Sequence, residues 1–200
     1  MNVLVIPEDF TKDQYMLKPI VEAMLKKLGK KKAKVKVCRD PLLGSVEQAT
    51  KVERIVPIVN RYAGMTDLFL LCVDRDGREG RKLQLEKIER EAAAILNNFT
   101  GDRAFFAENA WQEIEVWVLA GLPDFTKARD WQEVRQERDP KERYFLPYSQ
   151  QRGFANSSDE GRIALSQEAA TQYNNRIRKL CTEDIQNLET RIGDWMTNLG

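Results

Sequence analysis

The sequence predicts an α/β fold: a mostly parallel four-stranded sheet flanked by helices, followed by a mainly helical C-terminal extension. Two observations carry this reading. Short apolar runs alternate with longer amphipathic ones through the first two thirds of the chain. The resulting β-α-β-α-β-α-β order makes each crossover helical and right-handed, which sets neighbouring strands parallel. Length supplies a third, since 200 residues suit one compact domain with a small appended part. Residues 1–122 are expected to form the α/β domain, and residues 123–200 an irregular segment and a C-terminal helix packed on it.

Val3, Leu4, Val5 and Ile6 read as the first, buried strand. Thr11 and Gln14 offer a capping box for a helix carrying Tyr15, Met16, Ile20, Ala23 and Met24, with Pro19 as a kink or a late beginning. After the basic turn from Lys26 to Lys32, the residues Val35, Val37 and Cys38 suggest a second strand ending at Arg39 and Asp40. A helix from about Ser45 to Tyr62 follows, its face marked by Val52, Ile55, Val56 and Val59 and interrupted by Pro57. Leu68 to Val73 is the clearest strand. Next come a highly charged helix, Glu79 to Leu96, and a short strand, Ala104 to Ala107. Helix resumes at Trp111 and runs to about Leu119. The stretch Pro123 to Gly161, rich in charge, proline and aromatics, reads as irregular or partly helical. Finally, Cys181, Ile185, Leu188, Ile192, Trp195 and Leu199 recur at helical spacing, a stripe that packs on the domain or meets a dimer or partner helix.

Composition narrows the function classes. Hydrophobic residues at 42% and charged residues at 32% describe a soluble globular chain, and a net charge of +1 nominates neither nucleic acid nor a membrane surface as partner. No apolar run approaches the roughly 20 residues that span a bilayer, and the N-terminus lacks a signal-peptide pattern, so a cytoplasmic protein without a membrane partner is expected. Cys38, Cys72 and Cys181 read as buried free thiols of a reducing compartment. Histidine is absent from the sequence, which removes His-based triads and most catalytic zinc sites together.

The acids are placed tellingly. Each expected strand is followed by one: Glu8, Asp40, the pair Asp74 and Asp76, and Glu108. In a parallel sheet these positions share the carboxyl edge, where ligands bind at the topological switch point. Asp74 and Asp76 are two apart, so on an extended backbone both side chains face the same way. Carboxylates brought within about 4 to 6 Å raise one another's pKa unless a cation intervenes, and hard oxygen ligands suit Mg²⁺ or Mn²⁺. The alternative for Asp-x-Asp-Gly is a capped turn. An EF-hand fits poorly, because Arg78 and Leu85 stand where that loop needs ligands. Glu115 falls inside an apolar helical stripe with Trp111, Val118 and Leu122, and needs an arginine, hydrogen-bond donors or a metal. Glu113 sits on another face, either solvated or as an outer ligand.

These residues resemble a family. A glutamate after the first strand (Ile-Pro-Glu8-Asp), Asp74-Arg75-Asp76 after a later one, and the run Gln-Glu-Ile-Glu-Val-Trp-Val-Leu-Ala look like a TOPRIM domain. The helix is most similar to that of the small RloB-like, OLD-type TOPRIM proteins of prokaryotic defence loci. Pro140-Lys141, Tyr148 and Gly161-Arg162-Ile163-Ala164-Leu165 extend the similarity. The resemblance implies a TOPRIM-like, Rossmann-like sheet and a Mg²⁺- or Mn²⁺-dependent nuclease acting on DNA or RNA, with Glu8, Asp74, Asp76 and Glu115 as metal-site carboxylates. Two departures stand out. Pro7-Glu8-Asp9 replaces the glycine that often follows the first glutamate, and no GxxxxGK[ST] sequence is present, so an ATPase partner would act in trans.

A phosphate backbone needs positive charge. The dense block around Lys30, Lys31 and Lys32 is one candidate, and Lys141, Arg152 and Arg162 are others, with Tyr148 available to stack on an unpaired base. Surface solvation and core packing are the competing roles. Two other function classes stay open: a non-catalytic sensor or partner subunit of a defence complex, and a sugar-nucleotide or phosphoryl transferase using Asp74 and Asp76. The oligomeric state stays open too, a dimer included.

Overall fold

The computed structural model describes residues 1–40 and 43–198. Four parallel strands, β1 (Asn2–Pro7), β2 (Lys34–Val37), β3 (Leu68–Asp74) and β4 (Ala104–Ala110), stand in the order β2-β1-β3-β4. The helices are α1 (Gln14–Lys27), α2 (Val46–Ala49), α3 (Val52–Tyr62), α4 (Arg81–Leu96), α5 (Glu115–Ala120), α6 (Pro123–Lys127), α7 (Trp131–Gln136), α8 (Leu146–Gln151), α9 (Arg162–Thr171), α10 (Arg178–Leu180) and α11 (Asn187–Thr197). Three π-helical turns, Lys141–Phe145, Tyr173–Ile177 and Thr182–Gln186, interrupt the C-terminal segment.

Strand alternation divides the core into two layers. Val3, Val5, Leu68, Leu70 and Cys72 face α1, α5 and the C-terminal helices, whereas Leu4, Ile6, Phe69, Leu71 and Val73 face α3 and α4. Because both faces are covered, β3 is apolar along nearly its whole length, as buried parallel strands are. The first layer runs without a break from Val3 and Met16 to Tyr173 and Ile192, so the C-terminal segment shares the core of the sheet. Cys181, Ile185, Leu188 and Ile192 are buried there, and Trp195 meets Phe106 edge-on at 6.3 Å. The stripe therefore packs on the domain; its last expected position, Leu199, lies outside the described residues.

Several boundaries differ from the sequence reading. The Thr11 side chain turns to the Asp9 carboxylate instead of capping a helix, and α1 starts at Gln14. The helix expected over Ser45 to Tyr62 breaks at Thr50 and Lys51 into α2 and α3, with Ser45 capping the first by accepting from the Gln48 N–H. Strand β4 continues three residues past Ala107, stranding Glu108 inside the sheet rather than at its edge. The helix expected from Trp111 begins only at Glu115, because residues 111–114 form a loop with Gln112 at a φ of 75°. Much of the Pro123 to Gly161 stretch is short helix. Among the described residues, no helix is long and apolar enough to cross a membrane.

Candidate functional site

The strand order places the topological switch between β1 and β3, since the chain leaves β1 toward β2 on one side and reaches β3 on the other. Glu8 and Asp74 sit at the carboxyl ends of those two strands. The Asp74 backbone N–H donates to Glu8 Oε2 at 2.9 Å, and the Ile114 N–H donates to Asp74 Oδ1 at 2.8 Å. Three separate chain segments thus converge on two carboxylates.

Asp13, just before α1, completes the acid group. Burial raises its pKa well above the usual aspartate range, and the charges of Glu8 and Glu115 add to the effect. Burial pushes Asp74 in the same direction, again reinforced by Glu8, Glu115 and Asp13. Glu8 rises to about 7, through burial and the charges of Asp76 and Glu115, against the lowering influence of the Asp74 N–H and Arg81. Burial is the main cause in each case, and the neighbouring acids add to it.

Asp76 departs from the expected arrangement. Its φ of 50° and that of Gly77, 64°, turn the chain after β3, so the backbone is no longer extended there, although the Asp76 charge still reaches Glu8. Gln112 holds this turn: its carbonyl accepts the Arg75 and Asp76 N–H groups at 2.8 and 3.2 Å, and its side-chain oxygen accepts the Gly77 N–H at 3.1 Å. Asp76 is exposed, with its Oδ2 3.8 Å from Nη2 of the buried Arg81.

Glu115 is buried, as its apolar stripe demands, and its partner is Arg162 at 2.9 Å. That guanidinium also binds Glu160 and is only 1% exposed. An ion pair therefore answers the need that the sequence raised at Glu115. Glu113 accepts the Lys141 backbone N–H at 2.8 Å, and burial together with the Glu115 charge raises its pKa to about 7.

The expected nucleic-acid residues scatter. Lys30, Lys31 and Lys32 are exposed in the turn that enters β2. That turn lies at the amino edge of the sheet, about 20 Å from the acids by strand length. Tyr148 is buried, edge-on to Phe125 at 5.4 Å, and its hydroxyl accepts from Arg152 at 2.9 Å. Arg152 is further tied to Glu168 at 2.8 Å. The Lys141 ammonium lies 3.2 Å from Glu142. Asp40 and Glu108 do not join the acid group: Asp40 lies 3.9 Å from Arg61, and Glu108 accepts from Asn187 at 2.8 Å.

The donor set at the switch point consists of carboxylate oxygens, the chemistry that Mg²⁺ or Mn²⁺ prefers. Among the described residues, however, no group of three or more Cys, Asp or Glu side chains is placed to hold a metal ion as it stands. The site is an acid cluster at the binding edge with Glu8, Asp13 and Asp74 at its centre. Comparison of the chain with protein-family models, curated proteins and solved structures returns no match. Any function must therefore be argued from this geometry.

Two residues of the site escaped the sequence reading. Asp13 was hidden by the apparent capping box at Thr11 and Gln14. Arg81 was hidden by its neighbours, because Arg78, Glu79 and Lys82 make the whole stretch read as solvated, although Arg81 alone among them is buried. A signal for Asp13 did exist in its position in the loop directly after β1, on the same edge as Glu8.

Proposed function

We propose that this protein is a metal-dependent nuclease of TOPRIM type that cleaves nucleic-acid phosphodiester bonds. The observation that carries the reading is the junction of Glu8 and Asp74 across the switch point, which matches in position the glutamate and Asp-x-Asp of the resemblance. The raised pKa values of Glu8, Asp74 and Asp13, due first to burial and then to neighbouring acids, support it, because a divalent cation would relieve both the desolvation and the repulsion. Glu8, Asp74 and Asp13 would hold the ion, with Asp76 and Glu113 farther out. When bound, Mg²⁺ or Mn²⁺ supplies Lewis-acid stabilisation of phosphoryl oxygens and a more acidic water.

The chain's own groups have defined parts. Backbone N–H groups of Asp74 and Ile114 fix the orientation of Glu8 and Asp74. Arg162 pairs with Glu115 at the start of α5 and fixes its orientation. With histidine absent, Glu8, whose pKa is raised to about 7, is the side chain suited to accept a proton near neutral pH. The resemblance adds a place among prokaryotic antiviral defence effectors, with an ATPase in trans.

A second reading, a non-catalytic sensor subunit, is favoured by the lack, among the described residues, of three acids placed to hold a metal as they stand. Incubation with plasmid, single-stranded DNA and tRNA in Mg²⁺ or Mn²⁺ decides between them. Cleavage lost in Asp74→Ala supports the nuclease; cleavage indifferent to Asp74→Ala sinks it, and no cleavage by the parent protein favours the sensor.

A further inference from the structure

We infer that the amino end of α4 and the buried Arg81 guanidinium form a phosphate-binding subsite beside the acid cluster, and that a nucleic-acid phosphate occupies it. The nucleic-acid source rests on the nuclease reading; the anion chemistry stands separately.

Helix α4 is 16 residues long, opens at Gly80 without a side-chain cap, and has no acid in its first turn. The Arg81 N–H donates to the Arg78 carbonyl at 3.2 Å, but the positive end of the dipole and the N–H groups that follow meet no carboxylate of the helix's own first turn. An independent observation points the same way. Arg81 is 1% exposed, yet its Nε and Nη2 have no hydrogen-bond partner. Nη1 is hydrogen-bonded, at 3.4 Å from Thr50 Oγ1 and 3.2 Å from Gln84 Oε1, whereas Nη2 has only the exposed Asp76 Oδ2 at 3.8 Å, beyond hydrogen-bond distance, which an incoming anion would displace. Buried donors left open cost stability until an acceptor arrives. Nε and Nη2 are also adjacent on one edge of the guanidinium, and that edge presents parallel N–H groups to two oxygens of a single anion.

Arg81 lines a cavity of about 190 Å³ together with Arg75, Arg78 and Lys82. Acids line it too, but most are already committed. Asp184 accepts from Arg135, the Trp111 N–H and Trp117 Nε1, Glu183 pairs with Arg135, and Glu108 accepts from Asn187. Glu79 is exposed. Arg78 is itself paired with Glu47 at 3.2 Å, so a bidentate edge, a helix amino end and two further cations, Arg75 and Lys82, favour a tetrahedral oxyanion with several acceptors over a single carboxylate.

Calorimetric titration of the full chain, with divalent ions chelated, tests this with inorganic phosphate and with a short single-stranded oligonucleotide. Arg81→Lys keeps the charge and removes the two-pronged edge, and Lys82→Glu places a carboxylate in the exposed first turn, so each is expected to weaken phosphate binding by about tenfold or more. Phosphate binding indifferent to Lys82→Glu, or to a folded Arg81→Lys, overturns the subsite. Failure of the oligonucleotide to displace phosphate overturns the nucleic-acid source. Arg81-dependent phosphate binding without cleavage under any condition removes the nuclease and keeps the subsite; cleavage with phosphate binding indifferent to both variants does the reverse.

Discussion

The Asp74 N–H donates to the Glu8 carboxylate at 2.9 Å, tying the ends of the two central strands across the switch point. Glu8→Gln preserves an acceptor for this N–H and removes a charge that its neighbours oppose. Glu8→Ala removes both. Both variants are expected to lose divalent-dependent cleavage. In denaturant titrations, the alanine variant is expected to be less stable than the glutamine variant by about 1–3 kcal/mol, the cost of a stranded buried donor.

Arg162→Met strands Glu115 in an apolar layer. Loss of one member of a buried pair costs about 3–5 kcal/mol. The double variant with Glu115→Gln is expected to recover most of that loss, read as a coupling in a double-mutant cycle by chemical denaturation. Equal destabilisation by the single and double variants would show that Glu115 has another charge partner.

Glu108, buried in β4, has a pKa raised from 4.5 to about 7, chiefly by burial. Its folded form binds a proton more tightly than its unfolded form, so its favourable contribution is complete below about pH 4.5 and is lost as pH rises through about 7. The stability of Glu108→Gln relative to the parent is therefore expected to climb across that window, by an amount on the order of 2 to 3 kcal/mol. Urea melts of both proteins at intervals between those limits measure it. A difference that stays flat with pH would refute the assignment.

A Cβ at Gly121 would meet the Ala169 Cβ at 2.5 Å and its backbone Cα and carbonyl oxygen at 2.7 Å. Backbone cannot step aside as a side-chain tip does, so α5 and α9 must separate. Gly121→Ala is expected to cost about 1–3 kcal/mol or more. Its thermal midpoint should fall accordingly, by about 2–4 °C per kcal/mol for a chain of this size.

Replacement of Lys30, Lys31 and Lys32 by serine removes charge at the sheet edge opposite the acids. Initial rates on a short oligonucleotide are expected to be unchanged, since such a substrate cannot reach both edges. A rate loss on the short substrate would place the basic turn at the site.

The sheet was legible because β1 and β3 announce themselves: Val3 to Ile6 and Leu68 to Val73 are buried on both faces and so contain only apolar residues. Glu8 and Asp74 were legible because a strand's end fixes its edge. The rest depended on contacts between residues far apart in the chain. Nothing local distinguishes Arg81 from the charged residues around it, and nothing near Glu115 names Arg162, 47 residues away, as its partner. The backbone at Asp76 was not legible for a different reason: the spacing rule assumes an extended chain, and the glycine after Asp76 favours a turn there.

The carboxylate of Asp184 receives the Trp111 N–H at 2.9 Å, and Trp111 adjoins the Gln112 that holds the Asp74 to Gly77 turn. This linkage orders synthesis. A nascent chain can join Glu8 to Asp74 as soon as β1 and β3 pair, whereas the loop at Trp111 gains its Asp184 anchor only once the C-terminal segment has been made. The acid pair is therefore built first and the loop beside it is fastened last.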